Sequence, residues 1–513
     1  MSSVDRFFLV LTLPRLLFAL LVVVLLSTAG LWDLDYFWHL KTGEYIVTHL
    51  ALPRSDIFSY TNYGVPWVPH EWLFQAVLYL VHNAFGSSGV KLLTVLLASS
   101  ALFIAYSTAK KVLNSTGPVI LLTFVAFIPI AAGMAPRPQL ITYVFFAAFL
   151  HVIVDFKYHQ NARRLWLLPM LMVFWVNFHG GYIVGLFLLF LFLASELVVY
   201  WFERPDHQRQ MLWRLGAWAA LTVLASLANP DFIMHWLYPF NVAGMETAIN
   251  TIQEWRSPDF HLLQYQYYLL MAMGFFAILI YRKSKPDLTE LLLPSIFLFA
   301  GFVSLRHIPL AGLALVPFAA AAIKDGLNIQ GASRNGVLLA RFTQRALASR
   351  RVSREIEARL NWAILVAVVL MAVAYQPERE AREIKKANSL LPVNATNFIE
   401  QTGITGRMFN SYNHGGYLIY RLYPRQQVFI DGRADVYGDE FLKSYMAIVY
   451  GEPGWEKAFD GYKIDYVICH RDSPLRQLLL LRGDYKLVYD DDKSSVLLKD
   501  APGYAQVIAK YGL

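Results

Sequence analysis

Long apolar stretches alternate with short polar segments up to about residue 376. A helix needs about 20 apolar residues to cross the hydrocarbon layer of a membrane. We predict spans near residues 8–30, 88–109, 117–134, 139–156, 165–178, 182–202, 212–228, 264–282, 289–305, 308–323 and 361–376. The first stretch is too long for a cleaved signal peptide and is typical of a retained anchor. The pattern predicts a multi-span α-helical membrane protein with about 11 spans.

The pattern changes in residues 377–513, where charges are frequent and apolar runs are short. Strands are predicted at Val428–Ile430, Tyr466–Ile468, Tyr485–Tyr489 and Val496–Leu498, and helices at 393–401, 439–449, 474–481 and 502–511. Such alternation is typical of a small α/β domain. We therefore predict a transmembrane domain, 1–376, with a large first loop at 31–87, and a C-terminal α/β domain, 377–513.

Composition agrees with this division. The chain is 56% hydrophobic and only 16% charged, whereas soluble domains carry about 25% charged residues. An ordinary soluble enzyme is therefore excluded. A single cysteine, Cys469, excludes an intramolecular disulfide framework and a cysteine-based zinc site.

The net charge of +8 lies entirely in residues 1–376, because residues 377–513 hold 18 basic and 18 acidic residues. Lysine and arginine gather in alternate loops, which predicts that those loops are cytoplasmic. The N-terminus is then inside, and an odd number of spans puts the C-terminal domain outside. The basic segment 338–359 fits either an amphipathic helix on the inner leaflet or a solvated loop. Such a charge pattern favours membrane topology over nucleic-acid binding.

The first loop carries many of the residues that could do chemistry. Asp33 and Asp35 come just after a span, and such carboxylates act as a general base, ligate a hard cation, or simply cap the next helix. The same loop is rich in aromatic and ionisable residues, and we select His39, His70 and Glu71 from it as substrate-binding candidates.

Further candidates lie at other ends of spans on the same predicted face. His179 precedes a glycine pair, which indicates either a ligand site or a hydrogen-bonded helix break. Arg137, Arg306 and His307 are outside the membrane against the positive-inside trend, so phosphate binding or pairing with Asp33, Asp35 or Glu254 is expected.

Two later segments complete the candidate set. Glu254, in Thr251-Ile252-Gln253-Glu254, lies in a loop expected to fold over the outer face. In the tail, Tyr412, His414, Asp431 and Arg433 belong to two motifs that suggest loops on one sheet edge, with structural turns as the alternative.

The placement of these motifs resembles the GT-C superfamily of membrane glycosyltransferases. An acidic D-x-D follows the first span, the first outer loop is large, and Thr251–Glu254 is similar to the T-I-x-E motif of the oligosaccharyltransferase catalytic subunit. Tyr412–Tyr417 occupies the place of that subunit's W-W-D-Y-G motif but lacks its tryptophans and aspartate. The chain thus looks more like a generic bacterial GT-C protein. The resemblance implies transfer of a sugar from a polyprenyl-phosphate carrier to an acceptor.

We therefore predict an inverting hexosyltransferase-type enzyme, in which Asp33 or Asp35 is the base and Glu254 completes the catalytic group. The partners would be a polyprenyl-phosphate-linked sugar, a glycan, lipid or protein acceptor and membrane lipid, but no nucleic acid. A divalent metal, Mg or Mn, is a candidate cofactor on Asp35 and Glu254. The alternative is a non-catalytic membrane partner or transporter in envelope polysaccharide assembly.

Overall fold

The computed structural model describes residues 11–28, 33–203, 208–327 and 354–513. Helices dominate up to residue 374. They are α1 (Leu13–Thr28), α2 (Tyr36–His49), α3 (Trp72–Leu113), α4 (Thr116–Ala132), α5 (Gln139–His159), α6 (Leu167–Phe178), α7 (Tyr182–Glu203), α8 (Gln208–Ala225), α9 (Ile233–Ala243), α10 (Glu246–Thr251), α11 (Leu263–Tyr281), α12 (Leu288–Val303), α13 (Ile308–Leu327) and α14 (Arg354–Ala374). Residues 338–353 of the predicted segment 338–359 lie outside the described residues.

Six described helices are long and apolar enough to cross a membrane. They lie at Trp72–Leu113, Gln139–His159, Tyr182–Phe202, Leu263–Tyr281, Leu305–Gly326 and Ile356–Ala374. Shorter apolar helices cover Leu13–Ser27, Thr116–Ala132 and Leu288–Val303. A polytopic membrane fold is therefore supported, whereas the count of eleven spans stays a prediction.

Helix α3 is 42 residues long and is interrupted at Gly86, whose φ of 59° lies in the left-handed region. Glycine adopts this conformation without the steric cost of a Cβ atom. The interruption separates an N-terminal arm, which starts at Trp72, from the apolar half that matches the predicted span at 88–109. The arm packs closely against α2, since a Cβ atom added at Gly43 would collide with the Gln75 carbonyl and Tyr79 Cβ.

The tail contains α15 (Gln376–Leu390) and then a small sheet with surrounding helices. Its strands are β1 (Met408–Asn410), β2 (Tyr466–His470), β3 (Tyr485–Asp490) and β4 (Ser494–Lys499), in the order β1-β2-β4-β3. Strand β1 is parallel to β2, and the other pairs are antiparallel. The helices are α16 (Val393–Thr402), α17 (Gly415–Leu422), α18 (Ala434–Tyr437), α19 (Asp439–Tyr450), α20 (Trp455–Gly461), α21 (Pro474–Arg482) and α22 (Ala505–Tyr511).

The first strand of the tail was predicted in the wrong place. Val428–Ile430 is fully buried, but it lies outside the named strands and meets the first loop instead. The Val428 amide donates to Phe58 O at 3.0 Å, and the Tyr60 amide donates to Val428 O at 3.1 Å. This short pairing joins the first loop to the tail.

Candidate functional site

Two adjoining cavities lie where the helices, the first loop and the tail meet. The larger has a volume of about 360 Å³ and the smaller about 230 Å³. The walls common to both are formed by Asp35, Arg137, Gln139, Tyr238, Trp255, Arg306, Gly432 and Asp435. The larger volume lies within the range of roughly 300–1,000 Å³ typical of ligand pockets.

Arg137 joins three carboxylates from separate parts of the chain. Its guanidinium pairs with Asp33 and Glu254, and its Nη2 lies 3.1 Å from Asp35 Oδ2. The arginine stands just before α5, next to Pro138. The structure thus brings together the predicted D-x-D and T-I-x-E residues.

The two aspartates of the first loop have different surroundings. Asp33 Oδ1 accepts a hydrogen bond from the Asp35 amide at 2.9 Å, whereas Asp35 Oδ1 accepts one from Trp38 Nε1 at 3.1 Å. Burial raises the pKa of Asp35 to about 7, although the charge of Arg137 opposes this shift. A carboxylate with a pKa near the working pH suits general-base chemistry.

Gly432 of the tail approaches Asp35 so closely that a Cβ atom there would collide with Asp35 Oδ1 and press on Trp38 Nε1. The Asp431-Gly432-Arg433 turn therefore covers the aspartate from the tail side. Glycine is required here by close approach, since its backbone is not in the left-handed region.

The predicted metal site on Asp35 and Glu254 does not fit this arrangement. Both carboxylates contact the Arg137 guanidinium, so a fixed cation already stands between them. Over the described ranges, no group of three or more histidine, cysteine, aspartate or glutamate residues has the geometry to hold a metal ion.

Arg306 lies in a short turn, Leu305–His307, between α12 and α13. Its guanidinium carbon lies 4.2 Å from the centroid of the Trp255 ring, a cation–π contact. Within the described part of the chain, no carboxylate forms an ion pair with Arg306. Because it lines both cavities, its charge is available to an anionic ligand. His307 lines the larger cavity beside it.

Glu71 lies among three histidines in the wall of the larger cavity. Its Oε1 is 3.3 Å from His70 Nε2 and 3.5 Å from His179 Nε2, and its Oε2 is 3.4 Å from His39 Nδ1. Burial favours a higher pKa for Glu71, but the three histidines and the hydrogen bond from His70 together outweigh it and hold the pKa well below its usual range. Burial likewise favours a lower pKa for His70, but Glu71 raises it.

The other two histidines of this cluster are neutral at pH 7. Burial lowers the pKa of His39 to about 4 and that of His179 to about 3. His179 Nδ1 lies 2.7 Å from Thr142 Oγ1 and accepts a hydrogen bond from the Gly181 amide at 3.2 Å. Since Nδ1 is an acceptor, the ring proton is assigned to Nε2, the nitrogen that faces Glu71.

The four tail candidates separate into different environments. Tyr412 lines the smaller cavity and donates to Gly432 O at 3.0 Å. His414 lines neither cavity and is buried, which lowers its pKa to about 4. Arg433 touches the larger cavity but is only 1% exposed, and it pairs with Asp431 and Asp56. Substrate binding by Asp431 and Arg433 thus stays a prediction, and their visible contacts join the tail to the first loop.

Several site residues were not selected from the sequence. Trp255 directly follows Glu254, and Asp435 follows Arg433 within a motif already noted, so proximity to those motifs could have identified them. Tyr238 and Thr142 lie in apolar helices and carry no comparable signal. Asp56 was visible as a charged loop residue, but its partner Arg433 lies 377 positions away.

Comparison with solved structures identifies the class of fold. The chain has an oligosaccharyltransferase-like membrane fold, which confirms the resemblance drawn from the sequence at the level of the fold. The Archaeoglobus fulgidus oligosaccharyltransferase in its apo form matches with a TM-score of 0.55 and 13% identity, over 89% of this chain and 69% of that chain. The same enzyme, tethered through a disulfide to an acceptor peptide with the NVT sequon, matches with a TM-score of 0.54 and 12% identity. This match covers 95% of this chain and 74% of that chain. No family model and no curated protein sequence matches the chain.

Proposed function

We propose that this chain is an integral membrane glycosyltransferase that moves a sugar from a polyprenyl-phosphate carrier to an acceptor. The observation that carries the proposal is the common wall of the two cavities, where Arg306 has no carboxylate partner among the described residues and Asp35 is nearby. A free guanidinium suits phosphate oxygens. A half-buried carboxylate with a pKa of about 7, such as Asp35, suits removal of a proton from a hydroxyl.

The reaction is an inverting displacement. Asp35, or Asp33 in its place, takes the proton of the acceptor hydroxyl. Arg306, assisted by His307, holds the phosphate and stabilises its charge as it leaves. Arg137 and Glu254 order the aspartates. The apolar wall at Ile183, Val184 and Leu310 gives the polyprenyl chain a path from the membrane into the larger cavity.

The acceptor approaches through the smaller cavity, where the tail contributes Tyr412. The related archaeal enzyme was solved with a tethered peptide, which suits a protein acceptor. The departure from the W-W-D-Y-G motif favours a glycan or lipid instead. We place this end of the helices at the outer face of a bacterial inner membrane, with the N-terminus inside and 377–513 as an extracytoplasmic domain.

The non-catalytic alternative receives less support from the geometry. A transporter needs ionisable groups near the middle of the membrane, often in paired halves. Here Asp33, Asp35 and Glu254 converge on one arginine at one end of the helices, and Arg306 shares the adjoining cavities.

The test is transfer from radiolabelled polyprenyl-phosphate sugars by purified protein in nanodiscs. Asp35→Asn should reduce transfer about 10²- to 10⁴-fold, the usual contribution of a general base. Asp33→Asn is assayed beside it, and Asp259→Asn, on an exposed part of the same face, is the matched control. Unchanged transfer in both first-loop variants would remove the proposed base.

A second pair of variants tests the phosphate site. Arg306→Gln should weaken binding of a polyprenyl phosphate about 10- to 100-fold, because a charge-assisted hydrogen bond contributes about 1.5–3 kcal/mol. Arg256→Gln, exposed in the neighbouring loop, is the control. Equal binding by both variants would contradict the role of Arg306.

A further inference from the structure

Glu71 and its three histidines form a polar group that the proposed reaction does not yet use. The first loop supplies His39, His70 and Glu71, and the turn between α6 and α7 supplies His179. All four side chains are nearly buried, with 4–12% of each exposed. They line the larger cavity and are absent from the wall of the smaller one.

The separations within this group leave hydrogen-bonding capacity for a ligand. The three nitrogen–oxygen distances are 3.3–3.5 Å, beyond the usual range of about 2.7–3.2 Å for such bonds. Within the described ranges, the Glu71 carboxylate has no shorter polar contact with the protein. Its oxygens can therefore accept hydrogen bonds from a bound molecule.

The rings are also held in place, so the group is preorganised. The Tyr238 ring stacks on His70 with centroids 3.8 Å apart, and the Trp38 ring lies 3.7 Å from that of His39. Gly180 lies close to the His70 ring, since a Cβ atom added there would be 3.2 Å from His70 Cδ2. Preorganised donors and acceptors lose little entropy when a ligand binds.

A sugar ring matches this set of groups. Its hydroxyls donate to an acceptor-only carboxylate and accept from imidazole N–H groups, and the faces of Tyr238 and Trp38 offer apolar contact. A lipid has no hydrogen-bond donor for the Glu71 carboxylate, so the capacity left by its three long histidine contacts would stay unused in a nearly buried site. A phosphate would be repelled by Glu71 and would favour Arg306 in the same cavity.

We propose that Glu71, with His39, His70 and His179, is the subsite for the sugar of the lipid-linked donor. This inference rests on the proposed function and assigns the larger cavity to the donor and the smaller to the acceptor. The sugar then lies between the cluster and Arg306, and its anomeric carbon faces the wall common to both cavities. A bond forms from that carbon to the acceptor oxygen while the carbon–phosphate oxygen bond breaks. The acceptor proton goes to Asp35, and the bonding pair leaves with the phosphate.

The test compares two ligands on the full-length protein in nanodiscs. One is radiolabelled polyprenyl phosphate, and the other is the same lipid carrying glucose, mannose or N-acetylglucosamine. The wild type should bind at least one sugar-linked form more tightly than the bare lipid. Glu71→Gln should weaken that form about tenfold or more and leave the bare lipid within about twofold. Glu44→Gln, on α2 of the same loop, is the matched control.

His39→Gln and His179→Gln carry the same expectation and decide the result if Glu71→Gln fails to fold. The subsite is contradicted if no sugar-linked form binds the wild type more tightly than the bare lipid. It is equally contradicted if the folded variants weaken both ligands alike or neither. Absence of binding of either lipid to the wild type would instead overturn the proposed function itself.

Discussion

Arg433 is the side chain whose loss should most clearly separate the tail from the first loop. Its Nη2 lies 2.8 Å from Asp56 Oδ1 and 2.6 Å from Asp431 Oδ2, and its Nε lies 2.8 Å from Asp431 Oδ1. Both carboxylates are fully buried. The guanidinium also lies over the Trp67 ring, 4.6 Å from its centroid. Arg433→Met keeps much of the side-chain bulk but leaves two buried carboxylates without their cation.

The cost follows from this burial. Removing one partner of a buried ion pair costs about 3–5 kcal/mol, because the remaining charge stays desolvated. Since each 1.4 kcal/mol is a factor of about ten, the population with the tail separated from the loop should rise at least roughly 100-fold. Arg471→Met is the control, because this exposed arginine lies 3.5 Å from Asp490 at its nearest, and such surface pairs contribute about 0–1 kcal/mol.

Native-state proteolysis of the purified protein measures this population when opening and closing are fast relative to cleavage. Arg433→Met should be cleaved far faster than the wild type or Arg471→Met. Adding Asp56→Asn and Asp431→Asn to Arg433→Met removes the stranded charges and should recover part of the loss. Cleavage of Arg433→Met at the wild-type rate would refute the assignment of these contacts to docking of the tail.

Three further predictions follow from the same geometry. The folded state raises the pKa of His70. The stabilisation that His70 provides should therefore be complete below its unfolded pKa of about 6.5. The difference in melting temperature between the wild type and His70→Gln should shrink as pH rises through the folded pKa. For Asp35, with a pKa of about 7, kcat/KM should rise with pH up to a plateau above that value, and a flat profile from pH 5 to 9 would exclude it as the base. Gly432→Ala should lower both transfer and melting temperature through its collision with Asp35, whereas Gly461→Ala meets nothing within 4 Å and should leave both unchanged.

Much of the helical architecture could be predicted because apolar length is a local property of the sequence. The tail shows where this reasoning stops. Tyr466–Ile468 and Val496–Leu498 were identified correctly within β2 and β4, but Val428–Ile430 was not, since its apolar residues are buried by pairing with the first loop. The three-residue strand Met408–Asn410 is too short to produce a pattern of its own.

The candidate site shows the same limit. Asp33, Asp35 and Glu254 were selected from short motifs, and the structure brings them together. Their common partner Arg137 could be predicted only as one of several pairings, because the contact with Glu254 spans 117 positions. All four members of the cluster around Glu71 could be selected from the sequence, but not their contact with one another, because His179 reaches Glu71 through a turn between two apolar helices.

The pairing of Arg137 also favours Arg306 over Arg137 as the proposed phosphate ligand. Arg137 contacts three carboxylates, so its surroundings carry a surplus of negative charge that would repel a phosphate. The charges of Asp33 and Glu254 add to burial in raising the pKa of Asp35, whereas Arg137 lowers it. Arg306 instead rests on the uncharged ring of Trp255. In the proposed reaction this asymmetry orients the donor, because the phosphate binds Arg306. The acceptor hydroxyl contacts Asp35, where the nearby negative charge favours transfer of the hydroxyl proton to the carboxylate.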